Sequence, residues 1–199
     1  MKIKTKRFLL IINPLFFAVI TLLLTFSVNS TVIITLISGA LHECGHLIAL
    51  IKYKAGIKSV TLSFYGMKIL RENEMTLNYK KEIAVSLSGV AVNFLLSAVF
   101  LIINAIYENQ LFLTVSAVNL ILGVFNLLPA GKLDGARALA CITKRRFDLT
   151  KSGLILKSAC ALVIFPILLL GLYILKTSGN FSLLICCLYI ILSSFPLSD

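Results

Sequence analysis

Residues 41 to 47 read Leu-His-Glu-Cys-Gly-His-Leu, and they contain both histidines of this 199-residue chain. Histidines four positions apart lie on one face of a helix, because successive residues turn by about 100°. Two such imidazoles with a glutamate beside the first form the H-E-x-x-H pattern, in which the imidazoles bind zinc and the glutamate acts as a base. His42 and His46 are therefore predicted metal ligands, and Glu43 is the predicted base.

The surroundings of the motif distinguish a metal site from a chance match in a solvated helix. Residues 31–51 form an apolar stretch that is long enough to cross a bilayer. An ionisable group at membrane depth is costly and usually functional, so this setting favours the metal site. Cys44 lies between the histidines but points away from their helix face, and it is not expected to be a ligand.

The composition describes a membrane protein. Hydrophobic residues make up 59% of the chain and charged residues 14%, and a soluble domain of this size could not bury so much apolar surface. One integral membrane domain over residues 1–199 is expected. The net charge of +11 is not gathered in a compact basic domain with interleaved aromatic residues, so no nucleic-acid partner is expected.

Apolar stretches predict the fold class, an all-α membrane protein with about six transmembrane helices. Each stretch approaches the roughly 17–25 residues that a helical span needs. Between the second and third stretches, residues 56–79 are too polar to span. There Val60, Leu62 and Phe64 alternate with polar residues, which predicts a short β-hairpin or sheet, with an irregular loop as the alternative. The predicted helices are residues 8–28, 31–51, 83–104, 111–129, 153–175 and 181–197.

The basic residues predict the orientation in the membrane. If the N-terminus is cytoplasmic, every one of the 19 lysine and arginine residues except Lys176 falls on the cytoplasmic side of these helices. The positive-inside rule then predicts a multi-pass protein with cytoplasmic N- and C-termini. The histidine motif is expected toward the cytoplasmic half of the second helix.

Asn93 and Asp134 are further candidate site residues. An amide in a membrane helix needs a partner, so Asn93 is predicted either to form an interhelical hydrogen bond or to face the site. Asp134 follows Pro129 and Gly131, which predict a broken helix end. Catalytic zinc usually has three protein ligands, and the chain has no third histidine, so Asp134 is the best candidate. An ordinary turn or N-cap aspartate is the alternative.

Motifs in three predicted helices, taken together and in order, resemble the site-2 protease family of intramembrane zinc metalloproteases (peptidase family M50). The first is His42 to His46, and Ser88 and Gly89 with Asn93 resemble the family's glycine-and-asparagine motif in the intervening helix. The third comprises Asn126 to Pro129 and Leu133 to Gly135. The small six-helix members similar to the stage IV sporulation protein FB group match best, although here no nucleotide-binding (CBS) domain is expected.

The resemblance implies a zinc-dependent endopeptidase of a bacterial cytoplasmic membrane. One Zn²⁺ per chain would be held by His42, His46 and Asp134, with Glu43 as the catalytic base and Asn93 as a candidate for positioning the substrate. The expected partners are the lipid bilayer, a regulatory membrane protein, and a transmembrane or membrane-associated substrate that is cleaved near the cytoplasmic side. In the sporulation branch that substrate would be a pro-sigma factor. A divalent-metal transporter and a non-catalytic membrane adaptor are the alternatives.

Overall fold

The computed structural model describes residues 2–4, 9–12, 30–63, 66–71 and 77–194, which form four β-strands and six α-helices. The chain divides into two compact units, residues 1–123 and 124–199, and each unit is described by itself. The single domain predicted over residues 1–199 stays a prediction.

Three long helices dominate the first unit. They are α1 (Ser30–Lys52), α2 (Tyr79–Tyr107) and α3 (Gln110–Leu127), whose last turn belongs to the second unit. All three are long and apolar enough to cross a membrane, which confirms the spans predicted over residues 31–51, 83–104 and 111–129 as helices. The turn between α2 and α3 is short, and the Asn109 side chain accepts a 2.9 Å hydrogen bond from the Leu111 N–H group, which caps the start of α3.

A four-stranded sheet accompanies these helices. Its strands are β1 (Lys2–Lys4), β2 (Leu9–Ile12), β3 (Ile57–Ser63) and β4 (Gly66–Arg71), and they lie side by side in this order. Strands β3 and β4 form an antiparallel hairpin in which Val60 pairs with Ile69. The hairpin predicted after the motif helix is therefore confirmed.

The N-terminal prediction is wrong at its start. Residues Leu9–Ile12 were expected at the beginning of a membrane helix over residues 8–28, but they form strand β2, which pairs in parallel with Ser59–Leu62 of β3. A short apolar run fits a strand as well as a helix, and pairing with β3 gives its backbone groups partners. The remainder of that predicted helix, residues 13–28, lies outside the described residues.

A small apolar core joins the hairpin to the helices. Leu50 near the end of α1, Ala55 in the turn that follows, and Leu77 before α2 are buried together. Ile57 of β3 and Ile69 of β4 pack against this cluster. Burying these side chains holds the base of the hairpin beside the end of α1, in the half of the motif helix that was predicted to be cytoplasmic.

The second unit begins with the end of α3 and continues through three helices, α4 (Asp134–Arg146), α5 (Leu149–Ser178) and α6 (Ser182–Ser194). The break predicted between Pro129 and Gly135 is confirmed, and Gly131 has a positive φ of 59°, which glycine adopts without strain. Helix α4 was not predicted, since its 13 residues mix apolar and basic side chains. Helix α5 is a fourth candidate span, and α6 is a shorter apolar helix.

Candidate metal centre

The two histidines meet on the buried face of α1. His42 and His46 are 5% and 8% exposed, and their Nε2 atoms lie 3.2 Å apart. Their ring planes are almost perpendicular, with centroids 4.8 Å apart. Cys44, between them in sequence, is exposed, as expected for the opposite face of the helix. The one-turn spacing therefore brings the two imidazoles together.

Each imidazole is held through its other nitrogen. His46 donates from Nδ1 to the Val85 backbone carbonyl of α2 at 2.8 Å. His42 Nδ1 lies 2.5 Å from Oδ1 of Asn93, also on α2, and donates to it. Since an imidazole with its proton on Nδ1 keeps a lone pair on Nε2, both Nε2 atoms are available as metal ligands.

The paired Nε2 atoms fit a zinc ion. The two Nε2 atoms lie 3.2 Å apart, close enough for one metal ion to contact both. For tetrahedral zinc with Zn–N distances of about 2.0–2.1 Å, two ligand nitrogens are separated by about 3.3–3.4 Å. The observed separation is close to that value, so the histidine pair is arranged as a metal ligand pair would be.

Two glycines allow α1 and α2 to approach at this point. A Cβ atom at Gly45 would lie 2.9 Å from the Ser88 carbonyl oxygen and 3.1 Å from the Gly89 Cα. A Cβ at Gly89 would lie 2.5 Å from Nε2 of His46 and 2.7 Å from Nε2 of His42. Gly89 therefore keeps open the space directly beside both Nε2 atoms. Sequence reasoning assigned Gly89 to a family motif, and the structure adds this steric role.

Asn93 connects the site to a third helix. It is fully buried, and its Nδ2 donates to Oδ1 of Asn119 on α3 at 3.0 Å. Asn119 in turn donates to the Ser38 hydroxyl of α1 at 2.9 Å. Asn93 thus forms both an interhelical hydrogen bond and a contact with His42, the two alternatives left open by the sequence. Asn119 and Ser38 were missed, although an amide inside a predicted span was a signal for Asn119.

Glu43 and Asp134 complete the set of predicted site residues. Glu43 is partly buried on α1, next to His42 in the chain. Asp134, in the second unit, is 6% exposed and begins α4; the N-cap position is Leu133, so Asp134 is not a capping aspartate. Only glycine fits at position 135, because a Cβ there would lie 1.9 Å from the Leu127 carbonyl oxygen at the end of α3.

Comparison with known proteins identifies the fold. A solved structure of a site-2 protease from Methanocaldococcus jannaschii superimposes with a TM-score of 0.67 at 25% identity, covering 100% of this chain and 97% of that one. The chain is also 30% identical over 165 residues to a zinc metalloprotease of Methanocaldococcus jannaschii, covering 80% of this chain and 44% of that protein. The chain is similar in fold and in sequence to these proteins. The resemblance found in the sequence motifs is confirmed.

Another relative supports the site-2 protease assignment. Rip3 of Mycobacterium tuberculosis, a protein named as a candidate zinc metalloprotease, is 29% identical to this chain over 140 residues. The match covers 66% of this chain and 35% of that protein. The chain therefore spans less than half the length of the curated relatives it matches. No family model matches it. The site-2 protease fold accounts for the apolar helices and for the hairpin after the motif helix.

Proposed function

We propose that this protein is an intramembrane zinc metalloprotease, which hydrolyses peptide bonds of transmembrane or membrane-associated proteins. The observation that carries the proposal is the pair of buried Nε2 atoms, 3.2 Å apart on a helix apolar enough to cross a membrane. The site-2 protease fold and relatives named zinc metalloproteases support it. Ionisable residues are costly at this depth, which favours a function for the pair.

The proposed metal ligands are His42, His46 and Asp134. Two imidazole nitrogens and a carboxylate oxygen, all from buried residues, are donors that suit zinc. Three protein ligands leave one coordination position for water or substrate. When bound, zinc supplies Lewis acidity and lowers the pKa of a coordinated water to about 7.

Glu43 is the proposed general base and acid. Its position beside His42 in the sequence places its backbone next to a ligand, as the H-E-x-x-H pattern requires. The carboxylate would accept a proton from the attacking water and later donate it to the leaving amine nitrogen. Proton transfer of this kind typically contributes about 10²–10⁴-fold to the rate.

The substrate would be held in an extended form. A helical substrate hides its carbonyls in intrahelical hydrogen bonds, so it must unwind before hydrolysis. Strand β4 ends the described sheet, and we propose that an unwound substrate segment pairs with this edge. The substrate-positioning role predicted for Asn93 stays a prediction, and the contacts of its amide are with His42 and Asn119.

The finer assignments follow the charge pattern and the resemblance. We propose that both termini are cytoplasmic in a bacterial cytoplasmic membrane, since all basic residues but Lys176 then lie on the cytoplasmic side. Cleavage would occur near that side. A pro-sigma factor is the proposed substrate class, and a regulatory membrane protein is a proposed partner. These two rest on the resemblance to the sporulation branch.

Vesicle reconstitution with a transmembrane substrate tests the activity. Glu43→Gln should slow cleavage by about 10²–10⁴-fold while zinc stoichiometry stays at the parent value, because only the proton carrier is lost. Glu108→Gln, which changes an exposed carboxylate at the end of α2, is the matched control and should cleave normally. Undiminished cleavage by Glu43→Gln would refute the role of the base. Metal uptake without any cleavage by the parent would favour a transporter.

Metal analysis tests the ligands separately. Asp134→Asn keeps the size of the side chain but removes the charge, and His46→Ala removes a ligand nitrogen. Both variants should bind zinc at least about tenfold more weakly, since each loses a direct ligand. An unchanged zinc affinity in Asp134→Asn would remove Asp134 from the ligand set.

A further inference from the structure

A line of buried polar groups runs from His42 across three helices. His42 Nδ1 contacts Asn93 on α2, Asn93 contacts Asn119 on α3, and Asn119 returns to Ser38 on α1. The exposed fractions of Asn93, Asn119 and Ser38 are 0%, 1% and 3%. No buried side-chain nitrogen or oxygen within the described residues lacks a hydrogen-bond partner. Such a network is completely satisfied, and a satisfied buried network fixes the orientation of its members.

A backbone carbonyl sets the direction of every bond in this line. The Val115 oxygen, one turn before Asn119 in α3, lies 2.9 Å from the Asn119 amide and can only accept a hydrogen bond. The atom facing it must therefore be Nδ2, which leaves Oδ1 of Asn119 toward Asn93. Asn93 must then present Nδ2 to Asn119 and Oδ1 to His42. Only an imidazole with its proton on Nδ1 can donate to that oxygen.

We propose that Asn119 is a positioning residue for the metal site: it holds the Asn93 amide in the orientation that keeps the His42 proton on Nδ1 and the lone pair on Nε2. The proposal rests on the proposed function, because the lone pair matters as a metal ligand. His46 obtains the same tautomer directly, through the Val85 carbonyl. His42 obtains it from the Val115 carbonyl, through two amides.

Without Asn119 the orientation of Asn93 is no longer fixed. The Asn93 amide could rotate by half a turn and present Nδ2 to His42. That donor favours an imidazole that accepts at Nδ1 and carries its proton on Nε2, where the metal should bind. Zinc binding would then require the tautomer to change, at a cost in affinity.

The first test uses the parent chain in lipid nanodiscs, labelled with nitrogen-15 histidine and free of metal. The chain has only two histidines, so the spectrum contains two imidazoles. Nitrogen-15 shifts recorded at about pH 8 distinguish a protonated ring nitrogen from one with a lone pair. Both imidazoles should carry the proton on Nδ1. A parent spectrum with Nε2–H at either histidine would overturn the proposal.

Three variants then test Asn119 itself. Asn119→Leu removes both amide functions and should convert one imidazole partly to the Nε2–H form and weaken zinc binding, measured by chelator competition, by about tenfold. Asn119→Asp keeps an oxygen that accepts from Asn93 and should retain the parent tautomer. Ser116→Ala is the matched control, because Ser116 hydrogen-bonds Ser97 between the same two helices without contacting His42. It should change zinc affinity by less than about twofold.

The outcomes separate this proposal from the proposed function. If Asn119→Leu keeps both imidazoles in the Nδ1–H form, or if Ser116→Ala weakens zinc binding equally, Asn119 acts only in helix packing and the proposal is wrong. Because the tautomers are read without metal or substrate, they can behave as stated in a chain that does not cleave. That result would refute the protease and leave the role of Asn119 intact.

Discussion

Helices α1 and α5 are both apolar enough to cross a membrane, yet their packing is very different. In the candidate 18-residue membrane stretch of each helix, 28% of the α1 residues are buried but only 6% of the α5 residues. The buried residues of α1 are Ser38, His42, Gly45, His46, Ala49 and Leu50, whereas α5 buries Ser152 and Gly171.

The comparison shows that apolar character and burial are separate properties in this protein. Large apolar side chains such as Ile48 of α1 and Leu162 of α5 are 65% and 78% exposed. Lipid is as apolar as leucine, so these side chains gain little by turning inward, and helices instead meet through small and polar residues. Helix α1 uses such residues to build a site, and α5 uses them only where it contacts a neighbour.

The largest effect is expected at Gly135, where no side chain can fit. Gly135→Ala would place a Cβ 1.9 Å from the Leu127 carbonyl oxygen, and backbone must move to relieve the overlap. We expect the free energy of unfolding to fall by more than about 3 kcal/mol, measured by thermal or denaturant unfolding in detergent. Gly153→Ala in α5 is the control, since nothing lies within 4 Å of its Cβ, and it should be neutral or stabilising. Equal unfolding curves would show that the contact is easily relieved.

A charge on α5 should come next in magnitude. Leu162→Lys places an ammonium group near the middle of α5 on an exposed side chain, so membrane insertion of the helix should become less favourable by about 3 kcal/mol. Leu162→Ala should cost only about 0.5 kcal/mol. The fraction of full-length chains in which α5 is inserted measures the effect of both substitutions. It is read from a modification site placed after α5. Equal insertion of the two variants would mean that Leu162 does not face lipid.

The steric role of Gly89 gives a third prediction. Gly89→Ala would put a methyl group beside both ligand nitrogens, so zinc affinity should fall by more than about 100-fold, beyond the usual effect of changing an outer-shell partner. Gly39→Ala on α1, where a Cβ meets nothing within 4 Å, should bind zinc normally. Retained affinity in Gly89→Ala would show that α2 can withdraw from the site.

Sequence alone predicted the parts of the molecule in which one local pattern carries the information. The spacing of His42 and His46 requires a helix to bring them together, and the alternation around Val60 is the signature of a strand. Hydropathy predicted α1, α2, α3 and α5, because a span in lipid must satisfy its own backbone hydrogen bonds. In these cases local structure and membrane environment agree.

The rest depends on partners that are distant in the chain. Leu9–Ile12 is apolar enough for a helix, and only its pairing with β3 makes it a strand. Helix α4 has too many charged residues to appear as an apolar run. Asn119 matters through Asn93, 26 positions away, and no local pattern relates the two amides. The roles of Glu43 and Asp134 stay predictions.

The smallest effect tests whether polar contacts outside the metal centre only stabilise helix packing. Thr143 of α4 and Ser152 of α5 are buried, and their hydroxyl oxygens lie 2.6 Å apart. A double-mutant cycle with Thr143→Ala and Ser152→Ala should give a coupling energy of about 0.6 kcal/mol, the average for interhelical hydrogen bonds in a membrane protein, with zinc affinity unchanged. A coupling above about 2 kcal/mol would contradict this. With the expected weak coupling, the difference between α1 and α5 lies in which groups are paired and not in how strongly the pairs interact.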